Sequence, residues 1–146
     1  MLYNAESRYI LSTMDKPVVR DGALLLLRVV LGVVFVAHGW QKFFITGMTE
    51  VTGQFSQSGV PQPQLSAYLA GVSELVGGSM LVVGLLTTAV AGALALLMAA
   101  ALYFVHLDHG IFVAQNGVEF VAVLIVALLM VVVFGPGRAS VDGALA

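Results

Sequence analysis

Long apolar runs alternate with short polar breaks along this chain. Four runs stand out, at about 23–44, 65–86, 88–107 and 118–134. About 20 apolar residues cross the roughly 30 Å hydrocarbon layer of a bilayer, so each run is read as a membrane-spanning helix. Asp21 or Gly22 would cap the first span, and Gly135 followed by Pro136 would end the fourth. The break at 45–64 is polar and interrupted by Gly47, Gly53, Gly59, Pro61 and Pro63. Within it, TEVTGQFSQ could form a short interfacial helix with Val51 and Phe55 on one side, or an irregular loop. Spans two and three meet at Thr87 and Thr88 with almost no linker, which predicts a tight hairpin and antiparallel neighbours. The expected fold is all-α, an integral-membrane antiparallel four-helix bundle. A polar leader (1–22) would precede it and a tail (135–146) would follow.

Composition agrees with that pattern. Apolar residues make up 60% of the 146 and charged residues 10%, against about 25% charged in ordinary globular domains. Mean hydropathy is +1.01. Net charge is −2 and the six basic residues form no run, so nothing points to nucleic acid. With no cysteine, disulfides, thiol catalysis and cysteine-ligated iron–sulfur or zinc sites are excluded. The first 22 residues lack a signal peptide's apolar core and cleavage site, so they are read as a retained leader. Arg8, Lys16, Arg20 and Arg138 lie in the leader and tail, while the opposite loops carry no lysine or arginine beyond Lys42 at the boundary. The positive-inside rule therefore predicts a multi-pass protein with both termini cytoplasmic.

The ionisable residues inside the spans are costly there, at least ~2.5–3.5 kcal/mol each on insertion scales, and so are expected to face partners or a wet cavity. At about 100° per residue, Arg28, Gly32, Phe35, His38, Gly39 and Lys42 share one face of span one. At ~1.5 Å rise per residue, His38 lies about 9 Å and Glu74 about 13 Å inside the outer ends of their spans. Lys42, His106, Asp108, His109 and Glu119 also fall near the outer ends. Arg28 lies nearer the inner end, where it could reach lipid phosphates or pair with Asp142.

Each residue has a plainer reading. Glu74 could be a buried acid paired with Lys42 or His38 that only fixes helix register. Lys42 could be an interface anchor, and Glu119 a charge favoured by a helix N-terminus. His106, Asp108 and His109 look like metal ligands, but no second motif supports them, and no metal is expected. The glycines of the spans are read as close helix contacts.

Several separated motifs then converge on a resemblance. R-x6-F-x2-HG-x2-K (Arg28, Phe35, His38, Gly39, Lys42) is followed by G-x-P (Gly59, Pro61) and E-x2-GG-x5-GLL (Glu74, Gly77, Gly78, Gly84 to Leu86). Next come G-x-EF (Gly117, Glu119, Phe120) and GPGR-x-S-x-D (Gly135 to Arg138, Ser140, Asp142). Over residues 24–142 the chain resembles the DoxX family of small four-span bacterial membrane proteins, similar to the DoxD subunit of thiosulfate:quinone oxidoreductases. It departs at Ala139, where an aromatic residue is common in that family. The resemblance implies a plasma-membrane protein linked to redox metabolism, the quinone pool and partner subunits, without implying a catalytic mechanism.

The resulting expectation is an integral-membrane subunit of a quinone-linked redox complex. His38, Lys42, Glu74, His106 and Glu119 would line an outer-half pocket for a quinone or similar amphiphile, with His38 and Glu74 handling protons. No cofactor would be tightly bound. The chain carries no flavin or dinucleotide fingerprint, so it would not act as an enzyme alone; its partners would be the bilayer, other subunits of a membrane complex and copies of itself. A structural or assembly scaffold is the alternative, followed by a carrier of a small amphiphile.

Overall fold

The computed structural model describes residues 5–14 and 16–146. It is all-helical, with no strand among the described residues. Helix α1, Ala5–Met14, lies within the expected leader. Helix α2, Pro17–Trp40, continues through a π-helical stretch, Gln41–Thr46, to make one run of 30 residues. It therefore starts six residues before the expected boundary. The start is set by Pro17 at the first helical position, where a missing N–H costs nothing and φ is already helical. Lys16, not Asp21 or Gly22, is the N-cap. The carboxylate of Asp21 instead accepts the Arg138 backbone N–H at 3.2 Å.

The TEVTGQFSQ stretch forms helix α3, Met48–Gln57, with Val51 buried. Helix α4, Pro63–Val72, again opens on proline, then passes through a π-helical stretch, Ser73–Gly77, into α5, Gly78–Val83. Gly84 ends this run in the left-handed conformation (φ +76°), which glycine adopts without steric cost. The hairpin turn is thus Gly84–Leu86, just before the threonines that mark it in the sequence. Helix α6, Thr87–Ala101, continues through π and 3-10 stretches to His109. Helix α7, Glu119–Phe134, is followed by a short α8, Val141–Leu145.

Three runs are long and apolar enough to cross a membrane: Pro17–Thr46, Pro63–Val83 and Thr87–His109. The fourth expected span, α7, is apolar but has 16 residues. Span one packs on span two, α6 on α7, and α7 back on α2. Leu31, Phe35, Leu81, Leu94, Leu128 and Val131 fill the centre. Between apolar surfaces in lipid there is little hydrophobic drive, so close packing carries helix association. Gly32 and Gly78 meet directly: a Cβ on Gly32 would lie 2.6 Å from the Gly78 carbonyl oxygen, and one on Gly78 would lie 2.7 Å from that of Gly32. Exposed Trp40 packs at a tilt against Phe44, beside Phe43 and Tyr68, at the loop end of spans one and two, the placement expected of interfacial aromatics.

Candidate functional site

Each of the first three spans leaves α-helical geometry, spans one and three near their loop ends and span two near its middle, and each distorted stretch carries an ionisable residue. Lys42 sits in Gln41–Thr46, Glu74 in Ser73–Gly77 and His106 in Leu102–His106. An i→i+5 turn widens the helix and re-aims side chains, and such turns concentrate at functional sites. No residue pattern in the sequence marked them.

The first two stretches bring Lys42 and Glu74 together. The Lys42 ammonium donates to both oxygens of the Glu74 carboxylate, at 2.9 and 2.7 Å. The Glu74 side chain is 6% exposed and that of Lys42 is 20% exposed, so the pair is sealed on the acid side and open on the amine side. The face predicted for α2 is the one that turns inward. Arg28, Gly32, Phe35 and Gly39 are buried, and His38 and Lys42 are half-buried. His38 lies within electrostatic range of Glu74. Its Nδ1 donates to the Val34 carbonyl at 2.8 Å, which in the neutral ring leaves the Nε2 lone pair free to take a proton. The imidazole stacks on Phe120 of α7, centroids 5.9 Å apart. Phe120 is thus a member of the site that side-chain chemistry alone did not single out. Its only signal was its place after Glu119 in the G-x-EF motif.

His106 and Glu119 direct their hydrogen bonds elsewhere. His106 Nδ1 bonds the Asn116 carbonyl oxygen at 2.7 Å, and Glu119 Oε1 accepts the Val113 N–H at 2.7 Å. Both therefore fasten the 110–118 loop that closes this end. Asp108 and His109 are exposed beyond it. Among the described residues no three His, Asp or Glu side chains gather as a metal-ligand set.

The other end is organised by Arg28, which does not extend to a surface as expected. It is 1% exposed, and its two terminal nitrogens donate to the backbone carbonyls of Pro136 and Ala139, the latter at 2.7 Å. Nor does it bond Asp142 directly. That carboxylate accepts the backbone N–H groups of Leu86 and Thr87, both at 2.8 Å, and so caps the start of α6. These bonds hold the Asp142 carboxyl below the usual aspartate range, with a smaller contribution from the nearby Arg28 charge. The motif GPGR-x-S-x-D is thus a latch that ties the tail to spans one, two and three. A cleft of about 560 Å³ opens beside it, between Arg20, Asp21, Pro136 and Arg138.

A model of the DoxX family matches residues 23–107, which takes in Arg28, His38, Lys42 and Glu74. It stops short of Glu119 and the tail motif, so it is narrower than the resemblance read from the motifs. An uncharacterized membrane protein of Mycobacterium tuberculosis is 30% identical over 130 residues, covering 82% of this chain and 79% of that protein. An uncharacterized protein of Haemophilus influenzae is 34% identical over 124 residues, covering 82% and 87%. A Bacillus subtilis protein named "Putative oxidoreductase CatD" is 41% identical over 83 residues, covering 57% and 59%. No solved structure matches. With the family match spanning more than half of the sequence, and the membrane helices and inward polar face in place, the chain belongs to the DoxX family.

Proposed function

We propose that the chain is an integral-membrane subunit of a quinone-linked redox complex, with α7 as a fourth crossing that completes an antiparallel four-helix bundle. Both termini face the cytoplasm of a bacterial plasma membrane. The quinone or similar amphiphile is held at the loop end, against Lys42, Glu74 and His38. The observation that carries this reading is the buried Lys42–Glu74 pair set in facing π-helical stretches beside a half-buried histidine. An acid, an amine and a free imidazole nitrogen in an apolar bundle are what a reducible head group needs, because each two-electron reduction also takes up two protons. Lys42, the more accessible partner, hydrogen-bonds the reduced oxygen, while Glu74 and His38 pass protons. Electrons come from a partner subunit, since the chain has no cysteine to ligate a cluster. The name of the Bacillus subtilis relative adds support for redox chemistry in such proteins.

A scaffold role is the second reading. It is favoured by the closure of Lys42 and Glu74 on each other, which would also serve to fix helix register. Binding separates the two. A short-chain quinone analogue titrated into the protein in nanodiscs is expected to saturate, and Glu74→Gln and His38→Ala are each expected to weaken it about tenfold, or ~1.4 kcal/mol. If both variants bind as the wild type does, the quinone site is lost and the scaffold reading stands.

A further inference from the structure

Helix α7 has 16 residues, so at ~1.5 Å per residue it is about 24 Å long, roughly 6 Å short of the hydrocarbon layer. Gly135, at φ +79°, ends it on the tail side. On the other side the chain turns through residues 110–118, and this loop does not look like one made for water. Ile111, Phe112 and Val113 are consecutive, apolar and turned outward, at 64%, 62% and 55% exposure. No charged residue lies between His109 and Glu119.

The loop backbone is bonded largely to itself. Gln115 and Gly117 N–H groups donate to the Phe112 carbonyl, Asn116 to Val113, Val118 to Gly110 and Glu119 to Ile111. The Glu119 carboxylate takes the Val113 N–H, and the His106 ring bonds the Asn116 carbonyl. Gly117 lets the two arms touch, since a Cβ there would lie 2.5 Å from the Ile111 carbonyl carbon. A loop whose backbone is bonded largely to itself and that turns three apolar side chains outward, at the end of a helix too short for its membrane, matches one partner. A backbone can approach lipid only when its polar groups are bonded internally.

We infer that the 110–118 loop is a membrane-seated turn: Ile111, Phe112 and Val113 insert into the lipid interface and supply the depth that α7 lacks. The bilayer is the partner of this surface, with Gln115 and Asn116 at headgroup level. Glu119 and His106 then act as positioning residues for the loop. The inference rests on the fourth crossing but not on the quinone site.

The chain has no cysteine, so single cysteines can be introduced and labelled with a nitroxide without other changes. Phe112→Cys, Gln115→Cys and Val126→Cys, the last on the exposed mid-face of α7, would be labelled in phosphatidylcholine–phosphatidylglycerol liposomes. Collision with oxygen, which concentrates in lipid, would be compared with collision with a nickel chelate, which stays in water. Position 112 is expected to show an oxygen-to-nickel ratio severalfold above position 115, and position 126 a ratio higher still. A ratio at 112 equal to that at 115 would place the loop in water and overturn the inference. Protection of 112 from both reagents would overturn it too, in favour of a protein contact. An aqueous ratio at 126 would remove the fourth crossing, and the inference with it.

Discussion

Glu74 and Lys42 form the closest ion pair inside the spans, with the Lys42 ammonium 2.7 Å from a Glu74 oxygen. Glu74 is buried in an apolar bundle and, among the described residues, its side-chain hydrogen bonds are with Lys42, so the two residues are energetically one unit. Removing one partner of a buried pair leaves an uncompensated charge and costs ~3–5 kcal/mol, whereas removing both can be nearly neutral. Lys42→Met is therefore expected to destabilise the protein by about 3 kcal/mol, the low end because the amine keeps some solvent contact. The Lys42→Met/Glu74→Gln double variant should recover most of that loss. Thermal unfolding in one detergent measures both; additive losses would mean that the pair is not coupled. The pairing itself is legible in the residue types and depths. That Glu74 meets Lys42, with His38 turned to Phe120 and Val34, is decided by the tertiary placement of the helices, which residue types do not show.

Between helices, glycine sets the geometry. Spans one and two approach through Gly32 and Gly78, which meet backbone to backbone, and through Gly39, which lies against the Leu75 nitrogen and the Gly71 carbonyl oxygen. Gly78→Ala would put that Cβ 2.7 Å from the Gly32 carbonyl oxygen and 2.8 Å from the Val36 nitrogen, both backbone atoms that cannot swing away. It is expected to cost about 1–3 kcal/mol in thermal stability. Gly92→Ala, with nothing within 4 Å, should be neutral or stabilising by up to ~1 kcal/mol through helix propensity. Equal effects of the two substitutions would show that the span one–span two contact does not limit stability. The inward glycine face of α2 was readable from spacing alone. The diversion of His106 and Glu119 to the 110–118 loop was not, because their acceptor and donor are backbone groups that leave no trace in the residue pattern.

For the molecule as a whole, the tail closes the bundle. Asp142 holds the Leu86–Thr87 turn, and Arg28 holds the carbonyls of the segment that carries Asp142. Because its hydrogen bonds lower the folded-state pKa of Asp142, its contribution is full at neutral pH, above the usual aspartate range, and begins to decline as pH falls through that range. It is lost as pH falls further, through the folded value, where the carboxylate takes up a proton. Protection of the Leu86 and Thr87 amides from exchange, relative to their intrinsic rates at each pH, should therefore persist down to mildly acidic pH and fall below it. Asp142→Asn should show faster exchange at neutral pH and no acid transition. An unchanged exchange rate in that variant would rule out the latch.

The sequence by itself determined that this chain is helical and lives in a membrane, because apolar length and scarce charge admit no other solvent. It also determined which face of the first span turns inward, because helical periodicity and the cost of charge in lipid fix that face locally. Only the tertiary structure decided the partners. Lys42 meets Glu74 where two helices widen, Arg28 meets carbonyls more than a hundred residues away, and Asp142 caps a helix instead of meeting the arginine. Those choices depend on distances between segments far apart in the chain, and on backbone groups that every residue carries alike.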